Sequence, residues 1–179
     1  MNNFLPEGYK EEAGGYMKLE TGKNRFRILS SAIVGWEGWN EDKEGNHKPL
    51  RKRLTEDLIS SDFQEPEKIK RFWAFIVWNY KDEAIQILEI TQKGIRQSIT
   101  ALINNKKWGT PVNSYDIVIT REGEKLKTKY TVTPDPKEPT EKEITNAFKK
   151  KPINLEALFS NDDPFKSLPE DVNPDEVDL

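Results

Sequence analysis

The sequence predicts an all-β protein: a small five-stranded barrel that carries one helix and is followed by an acidic tail. Two patterns lead to this prediction. Short apolar or alternating segments are separated by turn residues, and one stretch of helical periodicity lies between the third and fourth of them. The third observation is composition, because apolar residues make up only 35% and charged residues 33% of the 179-residue chain. A chain this polar is expected to keep part of its length outside the packed core.

The first predicted strand is long and spans residues 24–39. Phe26 and Ile28 point to one face and Arg25 and Arg27 to the other, as alternation along a strand requires. Two glycines near the end of this segment predict a bulge or a sharp bend. We therefore expect a strand that curls rather than a flat one.

The next two predicted strands form a hairpin. A loop at 40–46, a basic cluster at 48–54 and a polar, irregular stretch precede it. The strongest strand of the chain is predicted at 71–80, with a turn at 81–83 and a partner strand at 84–90.

A helix is predicted at 91–105, with Thr91 as its N-cap. Its apolar residues fall on one face of a helix; they are Ile95, Ile99, Leu102 and Ile103. Strands follow at 115–121 and 126–134, separated by a hairpin turn. Residues predicted to face inward are Ile117, Ile119, Tyr130 and Val132, and those predicted to face outward are Lys127, Lys129 and Thr131. A proline-rich segment then ends the sheet, because no central strand tolerates it.

The order of three strands, a helix and two strands is that of the five-stranded Greek-key barrel known as the OB-fold. In this order the first strand pairs with both the second and the fourth. Such barrels bind oligonucleotides or oligosaccharides on the face made by strands 2 and 3. A mixed α+β sandwich is the alternative architecture.

The predicted organisation has four parts: an arm at 1–20, an OB-fold domain at 21–137, a linker with a short helix at 138–159, and an acidic tail at 160–179 that is expected to be disordered. Residues 152–179 carry a charge of −7, so the rest of the chain carries +4 of the net −3. A basic body with an acidic end indicates a polyanion-binding domain and a separate tail. The alternative is a solvated terminus that only improves solubility.

Several classes are excluded by what the sequence lacks. There is no cysteine, which excludes disulfides, cysteine zinc sites and a thiol nucleophile. The first residues have no signal-peptide pattern, and no apolar run approaches the ~20 residues of a membrane span. We therefore expect a cytosolic protein with no membrane partner.

The strand RFWAFIVWNY at 71–80 is apolar on both faces. Alternation places Trp73, Phe75 and Val77 on one face and Phe72, Ala74, Ile76, Trp78 and Tyr80 on the other. Either both faces are buried, or one is a binding platform. The face of Arg71 and Trp73 is the preferred outer face, because arginine is disfavoured in a core.

Aromatic rings interleaved with cations are what single-stranded nucleic acid requires. Bases stack on rings whatever their identity, and phosphates pair with Lys and Arg. The candidate stacking residues are Trp36, Trp39, Trp73, Phe75, Trp78 and Tyr80. The candidate phosphate contacts are Arg25, Arg27, Lys48, Arg51, Lys52, Arg53, Lys70, Arg71, Lys127 and Lys129.

No catalytic, metal or cofactor motif stands out in the sequence. The single histidine, His47, lies in a charged loop without a patterned partner. The closely spaced acids Glu41, Asp42 and Glu44 lack the order of a calcium loop. Three further acids, Asp62, Glu65 and Glu67, read as a solvated loop. We predict no catalytic residue, no metal and no cofactor.

Several blocks in order resemble the OB-fold single-stranded DNA-binding proteins of tailed bacteriophages: LPEGY, YMKLETGKNRFRILSSAIVGWEGW, KPLRKR, FWAFIVWNY, ILEITQKGIRQSI and WGTPVNSYDIVITREGEKLKTKYTVTP. The likeness covers about residues 4–137. It implies a protein that coats and protects single-stranded DNA during replication, recombination and repair in the cytoplasm of an infected bacterium. It also implies an acidic tail that contacts replication proteins and competes with DNA, and self-association along DNA.

The chain departs from the related bacterial proteins at its end. Those proteins finish in an acidic run with a terminal Pro-Phe, whereas DDPF is internal here, at 162–165. Two other functions stay open at this point. One is an OB-fold protein-interaction module of a replication complex, and the other is a small Mg²⁺-dependent nuclease that would use the acids near residue 65.

Overall fold

The computed structural model describes residues 4–7, 9, 11–55 and 62–166. Within them the chain is mostly β-sheet, with seven strands and two α-helices; the strands are β1 (Gly22–Ile28), β2 (Ile33–Glu41), β3 (His47–Arg53), β4 (Lys70–Asn79), β5 (Ala84–Ile90), β6 (Asp116–Glu122) and β7 (Lys129–Pro134). The helices are α1 (Lys93–Ile103) and α2 (Lys142–Lys150), and a six-residue 3-10 helix spans Leu155–Ser160. No helix in these ranges is long and apolar enough to cross a membrane.

All pairings in the sheet are antiparallel, in the order β3-β2-β4-β1-β6-β7, with β5 on the other edge of β4. The predicted first strand is divided into β1 and β2, and both pair with the same edge of β4. Because β1 also pairs with β6, the expectation that the first strand contacts the second and fourth predicted strands is confirmed.

The prediction of a closed five-stranded barrel is wrong for the described residues, because the seven strands form an open sheet. The outer edge of β5 is occupied instead by the N-terminal arm. The Ile87 amide donates to the Gly15 carbonyl (2.9 Å), and the Met17 amide donates to the Ile87 carbonyl (2.9 Å). Helix α1 lies against β7. The hydrogen-bonding groups that would close a barrel at Ile87 are therefore already used.

Two elements differ from their predictions in detail. The basic cluster at 48–54 is strand β3, which pairs with β2 along its whole length and extends the sheet. Helix α1 has Gln92 rather than Thr91 at its N-cap, and Gln92 makes no side-chain capping bond. The bounds of β4, β5, α1 and β6 otherwise agree with the predictions within two residues.

The first apolar core lies between the sheet and α1. Ile95 and Ile99 of the helix are 1% exposed, and Leu102 and Ile103 pack beside them, which confirms the predicted apolar face. They meet inward-facing strand residues that include Phe26, Phe75, Val77, Ile117 and Ile119. The predicted inward direction of Tyr130 and Val132 is also confirmed, since both pack against this core.

The second core covers the opposite face of β4 and β5. It is built by Phe72, Ala74, Ile76, Trp78, Ile85 and Ile87 from the strands and by Ile144, Leu155 and Leu158 from the C-terminal segment. Residues of the predicted linker at 138–159 therefore pack on the sheet. Both faces of β4 from Phe75 to Trp78 are buried, so the apolar character of both faces has a packing explanation.

A buried charge cluster ties this C-terminal segment to the sheet. Arg51 Nε donates to Glu37 Oε2 (2.8 Å), and its Nη2 donates to Glu89 Oε2 (3.2 Å). The remaining terminal nitrogen of Arg51 reaches the Leu158 carbonyl at 3.4 Å. Burial raises the pKa of Glu89 to about 8, and the neighbouring Glu37 carboxylate acts in the same direction. Arg51 opposes this shift, but one guanidinium cannot neutralise two carboxylates.

This raised pKa predicts how stability depends on pH. The folded state favours protonated Glu89. The stability that Glu89 contributes is therefore fully present below its pKa in the unfolded chain, near 4.5, and is lost as the pH rises through about 8. The free energy of unfolding should fall across that window by at most about 1.4 kcal/mol per pH unit. Glu89→Gln, which stays neutral, should gain stability relative to the unmodified chain between pH 5 and 8 in urea titrations. Glu156→Gln, an exposed control paired with Arg53, should show a difference that does not change with pH. If the stability difference between Glu89→Gln and the unmodified chain were also independent of pH, the raised pKa of Glu89 would be contradicted.

Candidate functional site

The start of β4 and the adjoining part of β2 form an aromatic and cationic surface beside α1. Trp36 lies opposite Arg71 in the sheet register, and Val34 lies opposite Trp73. Because alternate residues share a face, these four side chains all lie on the α1 side of the sheet. The rings of Trp36 and Trp73 are diagonal neighbours on adjacent strands, with Cα atoms roughly 7–8 Å apart. Neither tryptophan is fully buried.

Two adjoining depressions extend from these rings to α1, and we call them together the Trp36–Trp73 groove. The first has a volume of about 500 Å³ and is lined by Trp36, Lys70, Arg71, Lys93 and Arg96, among others. The second, of about 410 Å³, is lined by Trp73, Arg71 and Arg96 together with polar residues of α1. Of the described residues that line them, four are cations and none is an acid. The groove is therefore an open, positively charged depression with one tryptophan in each part.

Arg71 links the two kinds of side chain in the groove. Its guanidinium carbon lies 4.6 Å from the Trp36 ring centroid, which is cation–π geometry. The contact holds the guanidinium over one face of the indole. No salt bridge joins Arg71 to any other described residue.

The other predicted stacking residues lie elsewhere. Phe75 is 2% exposed in the core beneath α1, and Trp78 is 6% exposed in the opposite core. Tyr80 lies half-buried at the far end of β4. Trp39 is 52% exposed, but alternation places it on the other face of β2, in a neighbouring depression that also contains Glu37 and Glu65. The structure thus brings Trp36 and Trp73 together and leaves the other four rings outside the groove.

Most of the predicted phosphate contacts are already paired with carboxylates. Arg25 and Arg27 bind Asp116, Arg51 binds Glu37 and Glu89, and Arg53 binds Glu156. Two lysines have longer contacts, Lys48 with Asp42 at 3.7 Å and Lys52 with Asp62 at 3.9 Å. Lys127 was predicted on the last strand but lies in a 3-10 helix before β7. It and Lys129 are exposed at the β7 end of the sheet, with β1 and β6 between them and β4. Only Lys70 and Arg71 of the predicted cations line the groove.

Two groove cations were missed by sequence reasoning, Lys93 and Arg96 of α1. Both lie beside the apolar face of the helix rather than on a strand, so a strand-based search for a platform passes over them. The available signal was helical spacing, since residues 93, 96, 97, 100 and 104 form a polar stripe at three- and four-residue intervals. Such a stripe flanks the core and can face a cleft.

Asp116 explains why Arg25 and Arg27 are not free to bind a ligand. Its side chain is 3% exposed and accepts hydrogen bonds from Arg27 Nε (2.6 Å), Arg25 Nη2 (2.5 Å) and the Tyr80 hydroxyl (2.8 Å). Burial, reinforced by Asp116, raises the pKa of Tyr80 to about 12. Arg27, also buried, further donates to the carbonyls of Asn113 and Glu138. This cluster joins β1, β4 and β6 to the chain that leads to α2.

No protein-family model, no curated protein and no solved structure matches this chain.

The Asp116 cluster yields a stability prediction. Asp116→Asn leaves Arg27 buried without its carboxylate, which should lower the free energy of unfolding by about 3 kcal/mol. Asp135→Asn is the matched control, because the Asp135 side chain is 37% exposed and its only ion pair within the described residues is with Arg25 at 3.2 Å, so its removal should cost less than about 1 kcal/mol. Urea denaturation of the two variants measures the difference. Equal losses would show that Asp116 is not the centre of the cluster.

Proposed function

We propose that the protein binds single-stranded DNA without sequence preference in the Trp36–Trp73 groove. The observation that carries the proposal is a groove in which two partly exposed tryptophans lie beside four cations, with no acid among the described residues that line it. Each base presents a flat face, and stacking on an aromatic ring is worth ~1–3 kcal/mol per base regardless of sequence. The cations supply the contacts to the phosphates, so binding is expected to weaken steeply with salt.

The arrangement of strands supports, as part of this proposal, an OB-fold that has been modified. β1 and β2 act as two halves of one bent strand, β4 and β5 form the following hairpin, α1 comes next, and β6 and β7 complete the order. In this interpretation β3 is an added strand, and the arm takes the edge of β5 that would otherwise close the barrel. The ligand groove then lies next to α1 and to the first and second strands of the OB-fold order, which are here β2 and β4.

The resemblance adds a biological setting to the proposal: coating and protection of single-stranded DNA during phage replication, recombination and repair, without enzymatic activity. The residues from 167 onward lie outside the described residues. The acidic tail as a contact for replication proteins, and self-association along DNA, therefore stay predictions from the sequence.

Binding to labelled oligo(dT) tests the proposed function. Trp36→Ala should weaken binding by about tenfold or more, since ~1–3 kcal/mol of stacking is lost and 1.4 kcal/mol corresponds to a factor of ten. Trp39→Ala is the control, because it removes a more exposed indole from the opposite face of β2 and should nevertheless have the smaller effect. Fluorescence anisotropy at low salt measures both affinities.

Other outcomes of the same experiment distinguish the competing functions. An absence of oligo(dT) binding at low salt would overturn the proposal and favour a protein-interaction module. Cleavage of the labelled strand after addition of Mg²⁺ would favour the nuclease. In the structure, two of the acids considered for that role contact lysines, Asp62 with Lys52 and Glu65 with Lys68.

A further inference from the structure

Arg96 belongs to the arginines of the described chain that have no carboxylate partner, and it is the one that α1 contributes to the groove. It lies in the second turn of α1, and with Arg71 of β4 it lines both depressions of the groove. Arg25, Arg27, Arg51 and Arg53 all have carboxylate partners, whereas no described residue forms a salt bridge with Arg96. Its Nε, like that of Arg121 outside the groove, is buried and has no hydrogen-bond partner within the described residues. A guanidinium donor that is shielded from solvent and unpaired is costly unless something accepts from it.

The two groove arginines also act on each other. Partial burial lowers the pKa of Arg96, and the positive charge of Arg71 acts in the same direction. Arginine nevertheless remains protonated in proteins, so the two like charges persist side by side. An anion placed between them would relieve both the repulsion and the unsatisfied donor. The start of α1 borders the same space through Gln92 and Lys93, and the helix dipole adds positive potential there.

The surroundings select the kind of anion. Guanidinium groups match the oxygens of phosphate with paired N–H donors, and the Arg71 guanidinium already lies 4.6 Å from the centroid of the Trp36 ring. An aromatic ring lies on each strand beside the arginines, Trp36 on β2 and Trp73 on β4. A group that is anionic at its centre and flat on either side fits this arrangement, and a phosphodiester flanked by two bases has that form.

We propose that Arg71 and Arg96 clamp a single backbone phosphate of the bound strand between β4 and α1. The inference rests on the proposed function and adds the course that the bound strand follows through the groove. The sugar–phosphate backbone runs along α1, and the bases on either side of the clamped phosphate turn toward Trp36 and Trp73. Helix α1 thereby becomes one wall of the binding site in addition to its role in the core.

A double-mutant cycle on salt-dependent binding tests the clamp. For single strands, the slope of log K against log salt changes by about 0.7 for each phosphate contact. Arg96→Gln should reduce the slope by about that amount and weaken oligo(dT) binding about tenfold at low salt. Arg71→Gln should do the same, and the double variant should lose little more than either single variant because one phosphate is involved. The control is Lys149→Gln, which removes an exposed helical cation from α2 and should leave the slope unchanged.

Each outcome of the cycle decides a different point. If the losses add, so that the slope of the double variant falls by about 1.4, the two arginines do not share a phosphate and each contacts its own. An unchanged slope for Arg96→Gln would overturn the clamp while the effect of Trp36→Ala on affinity keeps the proposed function. No binding by the unmodified chain would overturn both. Arg96→Lys separates charge from fork geometry, since it should restore the slope but not the full affinity.

Discussion

The fold depends on the burial of β4 on both of its faces. A strand with Phe75 and Val77 on one side and Ile76 and Trp78 on the other cannot lie at a solvent-exposed surface of a sheet without a large hydrophobic cost. Helix α1 covers one side and the C-terminal segment through α2 and Leu158 covers the other. At the start of the strand the cover on the α1 side is incomplete: Arg71 is exposed and Trp73 is only partly buried, whereas Phe72 between them is fully buried in the second core. The candidate groove therefore lies where α1 leaves the start of β4 partly uncovered.

The same packing divides the cations into two groups. Arginines that lie under the covers or beside them are neutralised: Arg27 by Asp116 and Arg51 by Glu37 and Glu89. These pairs hold the strands and the C-terminal segment together, and their partners make them poor anion receptors. The cations at the open end of β4 have no such partners among the described residues. Arginine thus holds the strands together in one part of the chain and lines the candidate groove in another.

Local patterns in the sequence predicted much of the fold, and contacts between distant residues account for what it missed. The alternation of β4 and β5 and the apolar face of α1 gave those elements their correct bounds within two residues. Nothing local in KPLRKR distinguishes Arg51, whose partner Glu89 is 38 residues away, from a surface cation. Likewise the edge of β5 could have met β7, and the arm took it instead. Trp36 and Trp73 were predicted as site residues, whereas Arg96 belongs to a helix that periodicity explained as core alone.

The indole N–H signals of the five tryptophans in a ¹⁵N-correlated NMR spectrum test the central claim most directly, because the five rings occupy different environments. Oligo(dT) should shift the signals of Trp36 and Trp73, which are partly exposed in the groove. The signals of Trp78, sealed by the C-terminal segment, and of Trp108, packed 4.8 Å from Tyr115, should stay in place. Shifts concentrated on Trp78 or Trp108, or on Trp39 alone, would contradict the account.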